Sequence, residues 1–310
     1  MKMKFQIIIK TVAVAAVFTL AIGASTKLLT PKFVDNIPEG SLIEEYYKDN
    51  HKNDVIFIGD CEAYEVFVPN VLKHGFGLTA YVRGSAEQRI WQSYYIACDT
   101  FKYETPKYMV LSVEEMQYDE PCKEEYNRMT IDGMRLSPEK LACVRASMNP
   151  DENTASYIFP ILRYHDRWNK LTGEDFNYFF SKPAVSERGY LPELTEVPMT
   201  ELPPVKPLAD YSLPDKCTDY LNRIIKLCEN HGTKLILVKS PVLYPHWYSE
   251  WSEQIGEIAK ANNITYLDLT TDDKINEIGI DWETDTSDGG AHLNYYGAVK
   301  TTNYIGRIFE

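Results

Sequence analysis

Apolar residues gather in short bursts along the second half of the first hundred positions. "DVIFIG" over 54–59 reads as a buried strand ending in glycine. "LTAYVRG" over 78–84 reads as a second strand and "KYMVLSVEEM" over 107–116 as a third. Between them, "SAEQRIWQSYYIACDTFKY" places Ile90, Tyr94, Ala97 and Phe101 on one helical face. Strand, helix and strand in close succession predict a parallel sheet with crossover helices. The alternation resumes late. A helix over "DKCTDYLNRIIKLCENHG" ends at Gly232, a strand covers 233–241, a helix "YSEWSEQIGEIAKANN" follows, a strand covers 264–270, and an amphipathic helix from "NYYG" closes the chain.

From about 117 to 214 the alternation fails. Two helical stretches, "NRMTIDGMRLSPEKLACVRASM" and "ASYIFPILRYHDRWNKL", precede the proline-dense, aperiodic "PELTEVPMTELPPVKPLADYSLP". The pattern predicts one three-layer α/β domain over about 40–310, flavodoxin-like in having a parallel sheet flanked by helices, with a large insertion after its third strand.

The first thirty residues stand apart. "MKMKF" is basic, "QIIIKTVAVAAVFTLAIGAS" is apolar but for Lys10, and "TKLLTPKF" is basic again. This reads as an N-terminal signal anchor over 1–30, a single apolar helix over about 6–24 outside the globular domain, or as a signal peptide removed at the small residues of "AIGAS". Either way the remainder is exported, at the cell membrane with an extracellular domain or secreted after cleavage.

Composition and charge narrow the partners. The 310 residues are 44% hydrophobic and 25% charged, ordinary for a packed domain. A net charge of −13 removes the basic footprint that nucleic acid requires. Six cysteines without a C-x-x-C pair give no zinc ribbon or thioredoxin motif, and no metal or cofactor is expected. Export permits disulfides. Cys217 and Cys228 lie about 16 Å apart along one helix and cannot bridge, which leaves Cys98, Cys122 and Cys143 as candidates for one bridge.

Three places carry candidate chemistry, each at the C-terminal end of a predicted strand or just before a helix, where open parallel sheets bind ligands. They are Gly59-Asp60-Cys61, Gly84-Ser85 and "DTSDGGAHLNYYG" before the last helix. "IGDC" and "DGGAHLNYYG" resemble the first and last blocks of the SGNH (GDSL-type) hydrolase superfamily, over roughly residues 50–115 and 230–310. That family has serine after Gly-Asp, and Asp and His close together near the C-terminus. The resemblance implies Cys61 as nucleophile, His292 as base and Asp288 as its orienting acid, with Asp285 as the fallback because the family's Asp lies three residues before His. The backbone N–H groups of Cys61 and Gly84 would face the oxyanion. The family's Gly-x-Asn-Asp block is missing. Ser112 or Glu115 stands where its asparagine belongs.

Histidine beside Cys61 and the helix that follows it are expected to favour the thiolate. Accessory candidates are Asp60 at the strand end, Ser85 (otherwise a helix N-cap), Lys239 facing an anionic group, and Arg163, His165 and Arg167 lining a polar site from the insertion. "YPHWYSEW" offers either a sugar-stacking surface or core.

With its anchor and insertion, the chain resembles exported SGNH proteins of bacterial envelopes that acylate or deacylate surface polymers. That implies an acyl esterase or acyltransferase acting on a carbohydrate-containing envelope polymer or a small ester, held to the membrane by the N-terminal helix and, for transfer, supplied by a membrane acyl-donor partner. The alternative is a catalytically impaired surface carbohydrate-binding protein.

Overall fold

The computed structural model describes residues 2–202 and 204–309; Pro203, inside the proline-dense stretch, lies outside them. A short hairpin comes first, β1 (Phe33–Val34) paired antiparallel with β2 (Ile37–Pro38). The domain is then built on five strands: β3 (Val55–Gly59), β4 (Ala80–Gly84), β5 (Tyr108–Ser112), β6 (Lys234–Lys239) and β7 (Thr265–Asp268). All pairings among these five are parallel, in the order β4-β3-β5-β6-β7.

Alternation within the strands decides what covers each face. Ile56, Ile58, Met109, Leu111, Leu235 and Leu237 point to one side, where the helices Ile90–Thr100, Asp215–His231 and Ser249–Ala261 bring Trp91, Leu221 and Ile255 against them. Val55, Phe57, Val110, Ile236 and Val238 point to the other side, covered by Cys61–Val66, Pro69–Phe76 and the C-terminal helix Tyr295–Gly306. Strands buried on both faces read as continuous apolar runs, which is why the sequence shows bursts rather than alternation. The result is the three-layer α/β domain with a parallel sheet that the pattern predicts.

The insertion contains the helices Glu124–Ile131, Pro138–Ser147, Thr154–Ile158, Ile161–Tyr164 and Gly173–Phe180. Among its described residues the proline-dense stretch after them has no regular structure, since prolines withhold the N–H groups a ladder needs. It is tied down by backbone bonds all the same. Just before it, Val82 donates to the carbonyl of Arg188 and Leu191 to that of Tyr64; within it, Glu193 accepts from the Tyr295 N–H, and Val197 and Met199 donate to the carbonyls of Thr286 and Trp282. This segment therefore crosses from the β4 edge of the sheet to the start of the last helix.

The N-terminal helix runs Lys2–Leu29, longer at both ends than the 6–24 the apolar run suggests. It is long and apolar enough to cross a membrane, and its apolar side chains from Phe5 to Ile22 are exposed. Only its last turns meet the domain. All six cysteines are free thiols, so the expected candidates Cys98, Cys122 and Cys143 form no bridge. Trp247 and Trp251 of the aromatic run are buried in the core, not displayed for stacking.

Candidate active site

β3 delivers Gly59 and Asp60 to the sheet edge, and Cys61 opens the short helix Cys61–Val66. The first N–H groups of any helix have no partner inside it, so the Cys61 N–H is free to face a ligand. Gly59 is dictated by packing: a Cβ there would lie 2.5 Å from the Cβ of Ser112 on β5.

The other half of the site comes from a turn. Gly289 and Gly290 adopt φ of 85° and 112°, a backbone that disfavours any side chain. This folds the segment back on itself, so that the Asp288 carboxylate accepts from the N–H of Ala291 at 3.1 Å and of His292 at 2.8 Å. Its second oxygen lies 2.6 Å from Nδ1 of His292, and Nε2 of the same ring lies 3.3 Å from Sγ of Cys61. The candidate nucleophile, base and orienting acid thus stand in a line. Four residues separate the acid from the histidine because the glycine pair takes up the extra one. Asp285 is elsewhere engaged. It is buried, accepts from the Asp281 N–H at 2.7 Å and pairs with Lys300 at 2.5 Å.

Sequence reasoning missed Glu65. It lies four residues after Cys61 on the same short helix, the spacing that shares a face, and its carboxylate stands 3.9 Å from Nε2 of His292. Burial resists protonation of His292, but the bond to Asp288 and the carboxylate of Glu65 prevail and raise its pKa to about 9. Burial pushes Glu65 up to about 7 against the pull of His292. Burial likewise resists the charge on Asp288, yet the hydrogen bonds from His292 and Ala291 hold it below the ordinary carboxylate range.

The thiol departs from expectation. Burial raises the pKa of Cys61 well above the usual value, and the carboxylates of Asp60, Glu65, Glu62 and Glu115 add to that. The neighbouring imidazole and helix start do not prevail against acidic, desolvated surroundings. Cys61 is held as a neutral thiol, not a ready thiolate.

Those surroundings form a buried cluster behind the nucleophile. Asp60 is buried, accepts from the Ser112 hydroxyl at 3.1 Å and lies 4.0 Å from Sγ of Cys61. Lys239, fully buried at the end of β6, pairs with Glu62 at 2.5 Å and Glu114 at 3.2 Å. Arg89 pairs with Glu115. Burial raises Glu114 and Glu115 to about 7 each, and burial together with the neighbouring carboxylates raises Asp60 well above its ordinary value against the pull of Lys239.

Several accessory candidates are thereby reassigned. Lys239 holds two carboxylates of its own chain and has no free face for a ligand. Ser112 and Glu115 occupy the place of the expected asparagine but are turned to Asp60 and Arg89. Ser85 caps no helix: its hydroxyl meets Gln88 at 3.1 Å and Thr130 at 2.5 Å, and the next helix begins only at Ile90. Gly84 ends β4 in register with Gly59, and a Cβ on it would meet the carbonyl oxygens of Gly59 and Asp60 at 3.1 Å. That close approach explains glycine there and puts its backbone beside the nucleophile turn. Arg163, His165 and Arg167 do not join this site. Arg163 binds Glu124, Arg167 binds Asp175 and the carbonyl of Leu29, and His165 faces its own turn at Leu162.

A cleft of about 350 Å³ opens beside His292 and Asp288. Its walls are the β1–β2 turn at Asp35 and Asn36, Glu65, and the insertion from Leu191 to Thr195. Asp35, Glu65, Glu193 and Asp288 make it acidic.

No family model matches the chain, and no curated protein matches it. Solved structures do align with it. One is a protein assigned to the G-D-S-L lipolytic family from Desulfitobacterium hafniense DCB-2, at 13% identity and a TM-score of 0.43, covering 83% of this chain and 99% of the other. A second is a protein assigned as an acylhydrolase from Bacteroides fragilis NCTC 9343, at 11% identity and a TM-score of 0.38, covering 84% of this chain and 88% of the other.

Proposed function

We propose that this chain is an SGNH-type ester hydrolase or O-acyltransferase, anchored in the cell membrane by its N-terminal helix, which works through Cys61, His292 and Asp288 on O-acyl groups of an envelope carbohydrate polymer. The observation that carries the reading is the line from Asp288 through the His292 ring to Cys61 sulfur, with contacts of 2.6 and 3.3 Å. A buried structural cysteine has no use for a histidine aimed at it and oriented by a carboxylate.

In the reaction His292 Nε2 takes the Cys61 proton as sulfur attacks the ester carbonyl. The Cys61 and Gly84 N–H groups face the oxyanion. The C–O bond breaks, the alcohol leaves with the proton from His292, and a thioester remains. Water or a sugar hydroxyl then attacks the thioester and gives its proton to His292, the C–S bond breaks, and the departing Cys61 sulfur takes that proton back from His292, which restores the neutral thiol and the free base. Water makes the protein an esterase. A sugar hydroxyl, with acyl groups supplied by a membrane partner, makes it a transferase. The insertion and the β1–β2 turn shape the cleft that chooses between them.

A second reading is favoured by one feature. The thiol is held neutral among carboxylates, and Ser112 replaces the missing oxyanion donor without facing outward. A carbohydrate-binding protein with impaired catalysis fits that as well. The experiment that separates the two is incubation of the full chain with p-nitrophenyl acetate and with O-acetylated polysaccharide, followed by mass spectrometry for an acyl adduct on Cys61. An adduct that forms on the parent protein and disappears in Cys61→Ala supports the enzyme. Binding of deacylated polysaccharide without adduct or turnover supports the binding protein.

A further inference from the structure

The helices of the insertion that pack on the N-terminal helix carry a concentration of exposed apolar side chains. The elements Ile161–Tyr164, His165–Lys170 and Gly173–Phe180 all touch that helix. The Lys27 ammonium donates to the carbonyl of Phe179 at 2.6 Å, and the Arg167 guanidinium donates to that of Leu29 at 3.0 Å. These contacts ring the last turn of the helix, the point where a membrane-crossing segment would leave the bilayer. Around that ring Phe159, Leu162, Trp168, Phe176 and Phe180 are 58%, 54%, 70%, 46% and 81% exposed. Water-facing Trp and Phe in such number have no use in a freely diffusing domain.

Charge points the same way. The whole chain carries −13, yet residues 26–34 and 159–182 together hold six basic side chains against three acidic ones; Arg163, Arg167 and Lys182 are paired with Glu124, Asp175 and Glu44, Lys32 is largely buried beside Asp175, and Lys27 and Lys170 are exposed. Basic side chains interleaved with aromatic and aliphatic ones suit the boundary between headgroups and acyl chains, where the rings sit among the carbonyls and the cations meet lipid phosphate.

We infer that residues 159–182 form a collar that lies in the membrane interface around the emerging N-terminal helix, its partner being the headgroup region of an anionic bilayer. The collar turns a flexible single-helix tether into a fixed seat. The domain is held at one height and one orientation, so that the cleft at His292 faces substrate at a set distance from the lipid surface. Arg163 and Arg167 brace the collar through Glu124, Asp175 and the carbonyl of Leu29 rather than serving the catalytic site. It rests on the reading of the N-terminal helix as a retained membrane anchor.

The test uses the full chain reconstituted into vesicles of phosphatidylcholine and phosphatidylglycerol, with ordinary or brominated acyl chains. Trp168 is the natural probe. Subtracting the emission of Trp168→Phe from that of the parent isolates its signal from the other four tryptophans, and a side chain 70% exposed tolerates the change without loss of fold. Flotation of the vesicles is checked first, after an alkaline wash. If the protein floats and the Trp168 signal is largely lost in brominated lipid, the collar is in the interface. If it floats and the Trp168 signal is equally bright in both lipids, the collar is covered by water, by a second copy or by another protein. The inference then falls while the anchor stands. If it does not float, the anchor reading fails and the collar with it.

Discussion

Two groups of ionisable side chains meet at Cys61 and behave in opposite ways. In front, His292 and Asp288 are partly open to the cleft, are joined by short hydrogen bonds, and can change partners when a ligand arrives. Behind, Asp60, Glu62, Glu114, Glu115, Lys239 and Arg89 are buried and have no exit to solvent. The front is geometry for moving a proton. The rear is a fixed scaffold that ties the first turn of the Cys61 helix to the ends of β5 and β6, at the cost of taking six ionisable groups out of water. The lesson is that a strongly shifted ionisable group beside a candidate nucleophile need not take part in chemistry. Position relative to the cleft separates the two roles better than the size of the shift.

The largest expected effect breaks the front alone. Cys61→Ala and His292→Ala each lower ester turnover or adduct formation by about 10³-fold or more, while thermal unfolding is unchanged within a degree or two. Stopped-flow release of p-nitrophenol with parallel calorimetry checks both. A His292→Ala variant that retained half the parent rate would remove the histidine from the mechanism.

Breaking the rear gives the converse. Lys239→Met leaves Glu62 and Glu114 buried without their cation, which destabilises the fold by about 3–5 kcal/mol. The sign of its pH dependence follows from the carboxyl shifts. Glu65, Glu114 and Glu115 titrate at about 7 in the folded chain against an ordinary 4.5. The native state therefore binds more protons than the unfolded state between those values, and stability falls as pH rises through that window. His292, raised from 6.5 to about 9, continues the fall above it. Melting temperature should drop steadily from pH 5 to pH 8 in the parent and more steeply in Lys239→Met. A melting temperature that climbs over that range would overturn the account of the rear cluster.

Much of this frame was legible beforehand. Each strand reads as an apolar burst, and Gly59, Gly84 and Gly232 mark ends that the structure keeps. Cys61 and His292 stood out beside turn signals at a strand end and a helix start, and their candidate roles came from the resemblance of "IGDC" and "DGGAHLNYYG" to the SGNH blocks. Asp288 was less so, because its distance from His292 along the chain looks wrong until two glycines of positive φ are allowed to absorb a residue. The rear cluster was not legible. Glu62, Glu114 and Lys239 look like ordinary surface charges one by one, and only the pairing of distant strand ends makes them a unit. Glu65 was within reach, since i and i+4 share a helical face. Spacing alone could not show that its burial would rival the imidazole in setting the charge of the site. The N-terminal helix ran past the predicted end because Thr26–Leu29 is backed by the insertion, a contact with no local signal.

A subtler change tunes the front without dismantling it. With His292 protonated up to about 9 and the Cys61 thiol neutral, the base becomes available only as pH rises. Turnover should therefore climb through an alkaline limb near pH 9 rather than show a plateau at neutrality. Glu65 supplies part of the field that keeps the imidazolium charged. Glu65→Gln should shift the limb downward by about one pH unit, with the limiting rate little altered. Iodoacetamide labelling of Cys61 should follow the same limb. A limb below pH 7 in the parent would mean that the acidic surroundings do not govern the thiol.

The smallest change draws the boundary between front and rear most finely. Ser112 stands where an oxyanion-binding asparagine would be, yet its hydroxyl donates to Asp60, 3.1 Å away, inside the buried cluster. If that is its whole role, Ser112→Ala removes one neutral hydrogen bond. The loss is about 1 kcal/mol of stability, with kcat and KM unchanged. If the hydroxyl instead swings outward to the oxyanion when substrate binds, the same change lowers kcat by about 10²–10³-fold, the effect of removing one donor from such a site. The predicted outcome is the first. Gly59 packs against the Ser112 Cβ and allows the side chain little freedom, and turning it outward would strip a donor from a buried carboxyl group. Steady-state kinetics and a thermal melt on this one variant decide whether the line between chemistry and scaffold runs in front of Ser112 or behind it.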